Sequence, residues 1–264
     1  MKKKIILWSA VAFLVLEAVI GMHIQPDMSS VGEAPHKLHA LGSLPLPFGG
    51  INVVTIIFSW IIMIVLIVIS FGVARHLRRI PKRWQLVMEV FVSFFDKLCQ
   101  DTLGEKGRKF LPYVATLFIF ICLSNWIGLI PGCEEPTRDL NTTLGLGIIA
   151  FFVSHIAAIR YKGIVKYIAD YFEPMIEIKG VKIPNVVFAP LNLIGELGKL
   201  VSHSFRLYGN ILGGAIIIQV LSNLIRYVGL PIVLNLFFGL FVGAVQAFVF
   251  AMLALTYIAV LVEG

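Results

Sequence analysis

The residues with the most chemical potential lie in one stretch, Glu196–Gly214, which reads ELGKLVSHSFRLYGNILGG. Lys199, His203, Arg206 and Asn210 recur there at spacings of four, three and four, so a helix carries them on one face. The surrounding pattern is that of a membrane helix. A charge at bilayer depth costs ~2.5–3.5 kcal/mol on insertion scales. Arg206 therefore needs a partner, a wet cavity or a task. The chemistry on offer is the handling of charge in a low dielectric. Gly195, Gly198, Gly209, Gly213 and Gly214 surround it, and such small residues let another backbone or another subunit come close. A purely structural account competes: Arg206 snorkels, or pairs with Glu196, and holds helices together.

A second stripe runs through the last apolar segment. Gly239, Gly243, Gln246 and Phe250 share a face, Tyr257 continues it beyond Gln246, and Thr256 lies beside it. Gln246 is placed to face the Arg206 helix, although G-x3-G is also a general packing motif. His155, next to Ser154, is a membrane histidine for which helix packing is favoured over a proton relay or a ligand role. His23, His36 and His39 fall in a polar loop without carboxylate or cysteine company, so a solvated loop is favoured over a metal site. Cys99, Cys122 and Cys133 are odd in number and lack metal spacing. No H-E-x-x-H, nucleophile elbow, P-loop or di-acid cluster appears. The chain thus offers no catalytic residue, metal ligand or cofactor site of its own.

The elements that must position these residues follow from composition. Of 264 residues 58% are hydrophobic and only 14% charged, with mean hydropathy +0.91. A soluble chain is nearer one-quarter charged, so an all-α polytopic membrane protein is expected. The net charge of +7 does not mark a nucleic-acid binder. Seventeen of 22 Lys and Arg fall in residues 2–4, 75–109 and 160–182, which a simple topology puts on one side of the membrane. That is the positive-inside pattern, with contact to anionic lipid.

Residues 1–22 form a basic then apolar run, read as a retained helix or a cleaved leader. Residues 23–50 form an external loop, and 51–264 the membrane domain. Ile51–Ala74 spans, ending at the basic anchor RHLRRIPKR. Residues 82–104 carry Trp84, Val87, Met88, Phe91, Phe94 and Leu98 at spacings of three and four, as in an amphipathic helix lying at the interface or docking on the chain itself. Gly104 and Gly107 end it. Leu111–Ile130 and Thr142–Ile159 span, joined by a short external turn over 131–141. KGVKIPN (179–185) reads as a hairpin or turn. From Pro190 to about Arg226 the helical pattern would extend roughly 55 Å at 1.5 Å per residue, against a hydrocarbon core of about 30 Å. Pro231–Val262 is similarly over-long. About five to six membrane helices result, the last two long enough to lie obliquely as a wall.

NWIGLIPG (125–132), PLNLIGELGKL (190–200), SFRLYGN (204–210) and QAFVFAMLALTYI (246–258) occur in an order and spacing that resembles subunit a of the rotary F-type ATP synthases. The resemblance runs from about residue 45 onward. It implies a non-catalytic stator subunit in a bacterial plasma (inner) membrane, with C-terminus and basic loops cytoplasmic. It implies as partners a ring of c subunits, peripheral-stalk b subunits and the ATP synthase holocomplex. By the same resemblance Arg206, Asn210 and Gln246 match the family's signature Arg, Asn and Gln, beside two aqueous half-channels. The cargo would be H+ or Na+.

Two positions depart from many of the proton-using members, which carry an acid or His nine residues after the Arg and a His or Glu seven before the Gln. Here those positions are Ala215 and Gly239. One access path would then use Gln219, Asn223 or water. A hydrated cation needs a wet, uncharged path more than a titratable relay, which tilts the expectation towards sodium. His203, Lys199 and Tyr257 complete the candidate ion path. The alternative function is a stand-alone secondary transporter or ion channel. Against it, no internal repeat is visible, a feature such transporters often show.

Overall fold

The computed structural model describes residues 53–75, 83–130, 133–172, 176–178, 181–183, 188–225 and 233–263. The expected N-terminal helix or leader, the 23–50 loop and its three histidines lie outside the described residues. Five helices are long and apolar enough to cross a membrane: Val53–Arg75, Leu111–Leu129, Leu140–Lys162, Pro190–Leu221 and Val233–Glu263. The chain is an all-α polytopic membrane protein.

Helix α1 (Val53–Arg75) is apolar all round, and only Thr55 and Ile62 are buried. The rest of its surface suits lipid rather than water. It is tied down by Thr55, whose Oγ1 donates to Asp139 Oδ2 at 3.0 Å. Asp139 also caps α4 (Leu140–Lys162), accepting from the Asn141 amide at 2.9 Å.

Helix α2 (Arg83–Leu103) is the expected amphipathic element. Of the two roles weighed for it, docking on the chain describes part of its surface: Phe95, Cys99 and Leu103 are buried against Val114, Leu255 and Ile258. Leu86, Val87, Val90 and Phe94 stay exposed. Burial pushes the Cys99 thiol up to about 11, and the nearby Asp96 carboxylate adds to the shift. The thiol therefore stays protonated as apolar filler. Gly104 ends α2 at φ 59°, a left-handed conformation that favours glycine. In the 3-10 turn Gly104–Lys109, a Cβ on Gly107 would run into the Cys99 carbonyl.

Helix α3 is Leu111–Trp126, with Pro112 in its first turn where the missing N–H costs nothing, and a 3-10 turn Ile127–Leu129 prolongs it. Gly163, at φ 82°, breaks α4 from the short α5 (Ile164–Asp170). Lys162 Nζ donates to Asp170 Oδ2 at 2.6 Å across the break. A hairpin is present, starting earlier than the 179–185 expected: β1 (Ile176–Ile178) pairs antiparallel with β2 (Val181–Ile183), with Glu177 opposite Lys182.

Helix α6 is Phe188–Ile225, 38 residues or about 57 Å. The last helix, α7, runs Val233–Glu263. It differs from the regular helix expected, because Leu236–Val242 is π-helical before α-geometry resumes over Gly243–Glu263. Helix α7 is the centre of the bundle. Ala247, Ala251 and Ala254 are buried, letting its neighbours pack close, and Phe250, Leu255 and Ile258 fill the gaps between them. Basic residues gather at one end. Lys106 and Lys109 both lie 5.6 Å from the Tyr161 ring near the end of α4, and the last turn of α1 carries Arg75.

Candidate functional site

Helices α6 and α7 run antiparallel. His203 meets Phe250 and Tyr257, Asn210 meets Gln246, and Gly214 faces Phe238, so α7 numbers fall as α6 numbers rise. At the middle of this seam Asn210 Nδ2 donates to Gln246 Oε1 at 2.6 Å. Gln246 is 4% exposed, and its Nε2 has no partner among the described residues. Asn210 lies at the exposed rim of α6. The pair therefore carries polarity from the core out to the surface.

Arg206 stands one turn before Asn210. It is exposed and makes no hydrogen bond or ion pair among the described residues. Its surroundings on α6 are apolar and equally uncovered: Val201, Phe205, Ile216, Ile217 and Val220 are all exposed. The pairing with Glu196 weighed from sequence is not formed. Glu196 Oε1 instead accepts from Lys199 Nζ at 2.6 Å.

The single face drawn from spacing divides in two. His203 is 2% exposed and turns inward, its ring 3.7 Å from Phe250 and 5.4 Å from Tyr257 between centroids. Neither of its nitrogens has a partner among the described residues. It lines a small pocket with Ser154, Glu196, Lys199 and Tyr257, where there is room for about one water molecule. Gly147 keeps this wall thin, since a Cβ there would meet Ser204 Oγ. His155 packs edge-on to Phe151, ring centroids 3.9 Å apart.

Towards the opposite end of the seam, Gln219 lies 13 residues beyond Arg206, about 20 Å along the helix. It is partly buried and is not brought to the Asn210–Gln246 pair. Asn223 is on the same helix, and its side chain lies outside the described residues. Around Ala215 and Gly239 the fill is apolar. A Cβ on Gly239 would meet Leu129, and one on Gly214 would touch Phe238 at 3.2 Å.

These contacts bring Asn210, Gln246, His203 and Tyr257 to one seam, and sequence comparison says which proteins the chain as a whole is similar to. The family described as the ATP synthase A chain matches residues 56–259. The chain belongs to the ATP synthase A chain family. It is 38% identical over 230 residues to ATP synthase subunit a of Moorella thermoacetica, covering 87% of this chain and 97% of that one. It is 35% identical over 215 residues to the subunit a of a Geobacter species, strain M21, covering 81% and 90%. Against ATP synthase subunit a 1 of Crocosphaera subtropica it is 35% identical over 207 residues, covering 78% and 85%.

In this member of the A chain family the seam has a polar extension that spacing did not reveal. Asn125, 1% exposed, donates through Nδ2 to the Gly243 carbonyl at 2.7 Å and accepts at Oδ1 from Thr137 Oγ1 at 2.5 Å. Trp126 Nε1 donates to the Leu240 carbonyl at 3.0 Å. Both acceptors belong to the π-helical stretch or its edge, where the regular i→i−4 ladder is broken and carbonyls are open to side chains. Two residues before Thr137 lies Glu135. Burial pushes its carboxyl up to about 7, while Arg138 pulls the other way. The sequence clue to Glu135 is slight, a carboxylate just before Pro136 in a short turn between two spans.

Proposed function

We propose that the chain is the membrane stator subunit of a rotary ATP synthase, in which Arg206 faces a moving ring of carboxylate-bearing c subunits. The observation that carries this reading is Arg206 itself, exposed on an apolar helix face and without a partner among the described residues. A membrane arginine with no internal partner is expensive unless another protein supplies one. An arginine that serves only to tie helices together would be paired within the chain.

The chemistry follows from dielectric. A rotor carboxylate crosses lipid only when neutralised by H+ or Na+, because a bare charge there is prohibitive. Beside Arg206 the ionised form is favoured. The carboxylate releases its cation to one aqueous half-channel and reloads from the other. Arginine suits the role because it does not lose its proton at any working pH, whereas lysine does so when desolvated. The same fixed charge blocks a direct leak of cations. The membrane potential supplies ~2.3 kcal/mol per elementary charge per 100 mV, so several ions are needed for each ATP.

Residue roles follow from position. The Asn210–Gln246 pair braces the two helices next to Arg206. His203, Lys199 and Tyr257 line the wet pocket towards the basic, cytoplasmic end, and Gln219 and Asn223 lie towards the outer end. The over-long α6 and α7 lie obliquely and form the wall that the ring passes. The complex, with its b subunits, sits in a bacterial inner membrane.

Co-isolation with a c-ring and ATP-hydrolysing subunits tests the reading. Ion flux by this chain alone in liposomes would overturn it in favour of a stand-alone channel. Within the complex, Gln246→Leu is expected to lower coupled ATP synthesis about fivefold, the worth of one buried hydrogen bond at ~1 kcal/mol. Unchanged rates would reduce Gln246 to packing. The cation is read from ATP hydrolysis against sodium concentration at fixed pH. A sodium carrier is activated by sodium and protected by it against carboxylate modification. A rate indifferent to sodium identifies protons.

A further inference from the structure

We propose that Glu135 is a proton-exchanging group of the outer access path, and hence that the transported cation is H+. This rests on the stator reading above and replaces the tilt towards sodium drawn from Ala215 and Gly239.

The placement of the Glu135 turn comes first. The turn Pro136–Arg138 packs against α1, α3, α4 and α6 together. Pro136 and Thr137 are buried. Thr137 bonds to Asn125, and Asn125 bonds to the Gly243 carbonyl, one helical turn from Gln246. Gln246 in turn bonds to Asn210, one turn from Arg206. A line of polar groups therefore runs from the turn, at the end opposite the basic residues, to the rim where Arg206 stands.

Glu135 is the titratable side chain at the head of that line. Its carboxyl lies against the Cα of Gly128, occupying the space a Cβ there would fill. Gly128 belongs to the 3-10 turn whose next residue, Leu129, covers Gly239 of α7. The carboxyl is thus wedged beside the outer end of the α7 seam rather than extended into solvent. A group placed there and half-protonated near neutrality can both accept and release a proton, which is what an entry site must do. Burial raises the Glu135 carboxyl to about 7, and Arg138, exposed on the same turn, limits the rise.

The other charges near it are few. Glu134 and Asp139 flank the turn, and Asp139 is engaged with Thr55 and the α4 cap. Among the described residues α3 brings no charge, and α1, α4 and α7 carry theirs at the opposite, basic end. On α6, Arg206 is mid-helix and Glu196 and Lys199 lie beyond it. Among the described residues nothing else on these elements supplies a titratable group at the outer end.

The step itself is simple proton exchange. Carboxylate plus a proton from outer water gives the acid, and the acid returns that proton to water in the path leading to the rotor carboxylate. No other reactant is consumed.

The test uses the intact complex in sodium-free proteoliposomes, with ATP synthesis driven at fixed membrane potential and varied outer pH. Wild type is expected to show an inflection near outer pH about 7. Glu135→Gln is expected to lose the inflection and to fall about tenfold or more in coupled rate, water substituting only partly for a positioned proton-transfer group. The decisive variant moves the carboxyl: Glu135→Ala combined with Gly128→Asp puts an acid into the same space from the other side. Recovery of rate and inflection over Glu135→Ala alone supports the role, and it decides the matter should Glu135→Gln fail to assemble. A wild-type rate and pH profile in Glu135→Gln overturns the proposal, as does a coupled rate that requires sodium and ignores outer pH. Arg206→Ala, run in parallel, separates the two readings. If it abolishes coupling while Glu135→Gln changes nothing, only the Glu135 role falls. If it leaves coupling intact, the role of Arg206 in the stator reading falls as well.

Discussion

Arg206→Ala is expected to abolish ATP synthesis driven by an ion gradient while the complex still assembles. The two halves of that outcome have separate causes. Assembly survives because Arg206 is exposed and braces nothing inside the chain. Exposed substitutions away from special features usually fall within about ±0.5 kcal/mol. Coupling fails, on the stator reading proposed above, because the rotor carboxylate loses the charge that favours its ionised form. Restoring that charge's cost of ~2.5–3.5 kcal/mol to the barrier slows the step by about two orders of magnitude or more, at 1.36 kcal/mol per tenfold. Passive ion leak should rise in the same preparation, since on that reading the fixed positive charge no longer separates the two proposed half-channels. Arg206→Lys is expected to fall between the two, because an ammonium keeps the charge but loses its proton when desolvated. ATP-driven pumping at the wild-type rate in Arg206→Ala would remove the residue from the mechanism.

Much of the scaffold around Arg206 could be read from the chain because membrane helices announce themselves by length and apolarity. Ile51–Ala74 was bounded by a charge-free run and a basic anchor, and α1 ends within a residue of that boundary. Gly104 stopped α2 where a left-handed residue was needed. The length of α6 followed from uninterrupted helical spacing. What could not be read depends on which neighbour packs where. Three residues on a helix leave His203 and Arg206 only about 60° apart, so spacing puts them on one face. Phe250 and Tyr257 of α7 then bury His203 and leave Arg206 outside. The apolar stripe of α2 was legible, but period alone does not say whether lipid or protein covers it, and here the stripe is shared between both. The π-helical turn at Leu236–Val242 has no composition of its own. It is visible only once Trp126 and Asn125 are seen taking up carbonyls in and beside it. Glu135 was missed for the same reason. Its significance comes from the Gly128 contact and from Thr137, neither of which is a matter of local spacing.

Asn125 is where the scaffold and the proposed path meet, and Asn125→Leu is expected to show it. Leucine has the same number of side-chain heavy atoms and the same branching at Cγ, so no cavity is left. What is lost is the bond to the Gly243 carbonyl and the bond from Thr137 Oγ1, both buried. Leaving buried polar groups unpaired costs about 1–3 kcal/mol each, so a loss of roughly 2–4 kcal/mol is expected, within the upper range for single substitutions. Thermal unfolding of the detergent-solubilised complex should report it as a lower transition temperature and a smaller amount of subunit retained in membranes. Thr137→Val removes only one of the two bonds and leaves Asn125 tied to α7, so its loss should be clearly smaller. The contrast with Arg206→Ala carries the argument. That variant is expected to keep its thermal transition and lose coupling, because the partner proposed for it is outside the chain. Asn125→Leu is expected to lower the transition first, and to lower coupling through displacement of the turn that carries Glu135. Wild-type melting in Asn125→Leu would mean that the π-helical carbonyls find other partners, and that the 133–139 turn is held to the bundle by Thr55 and Asp139 alone.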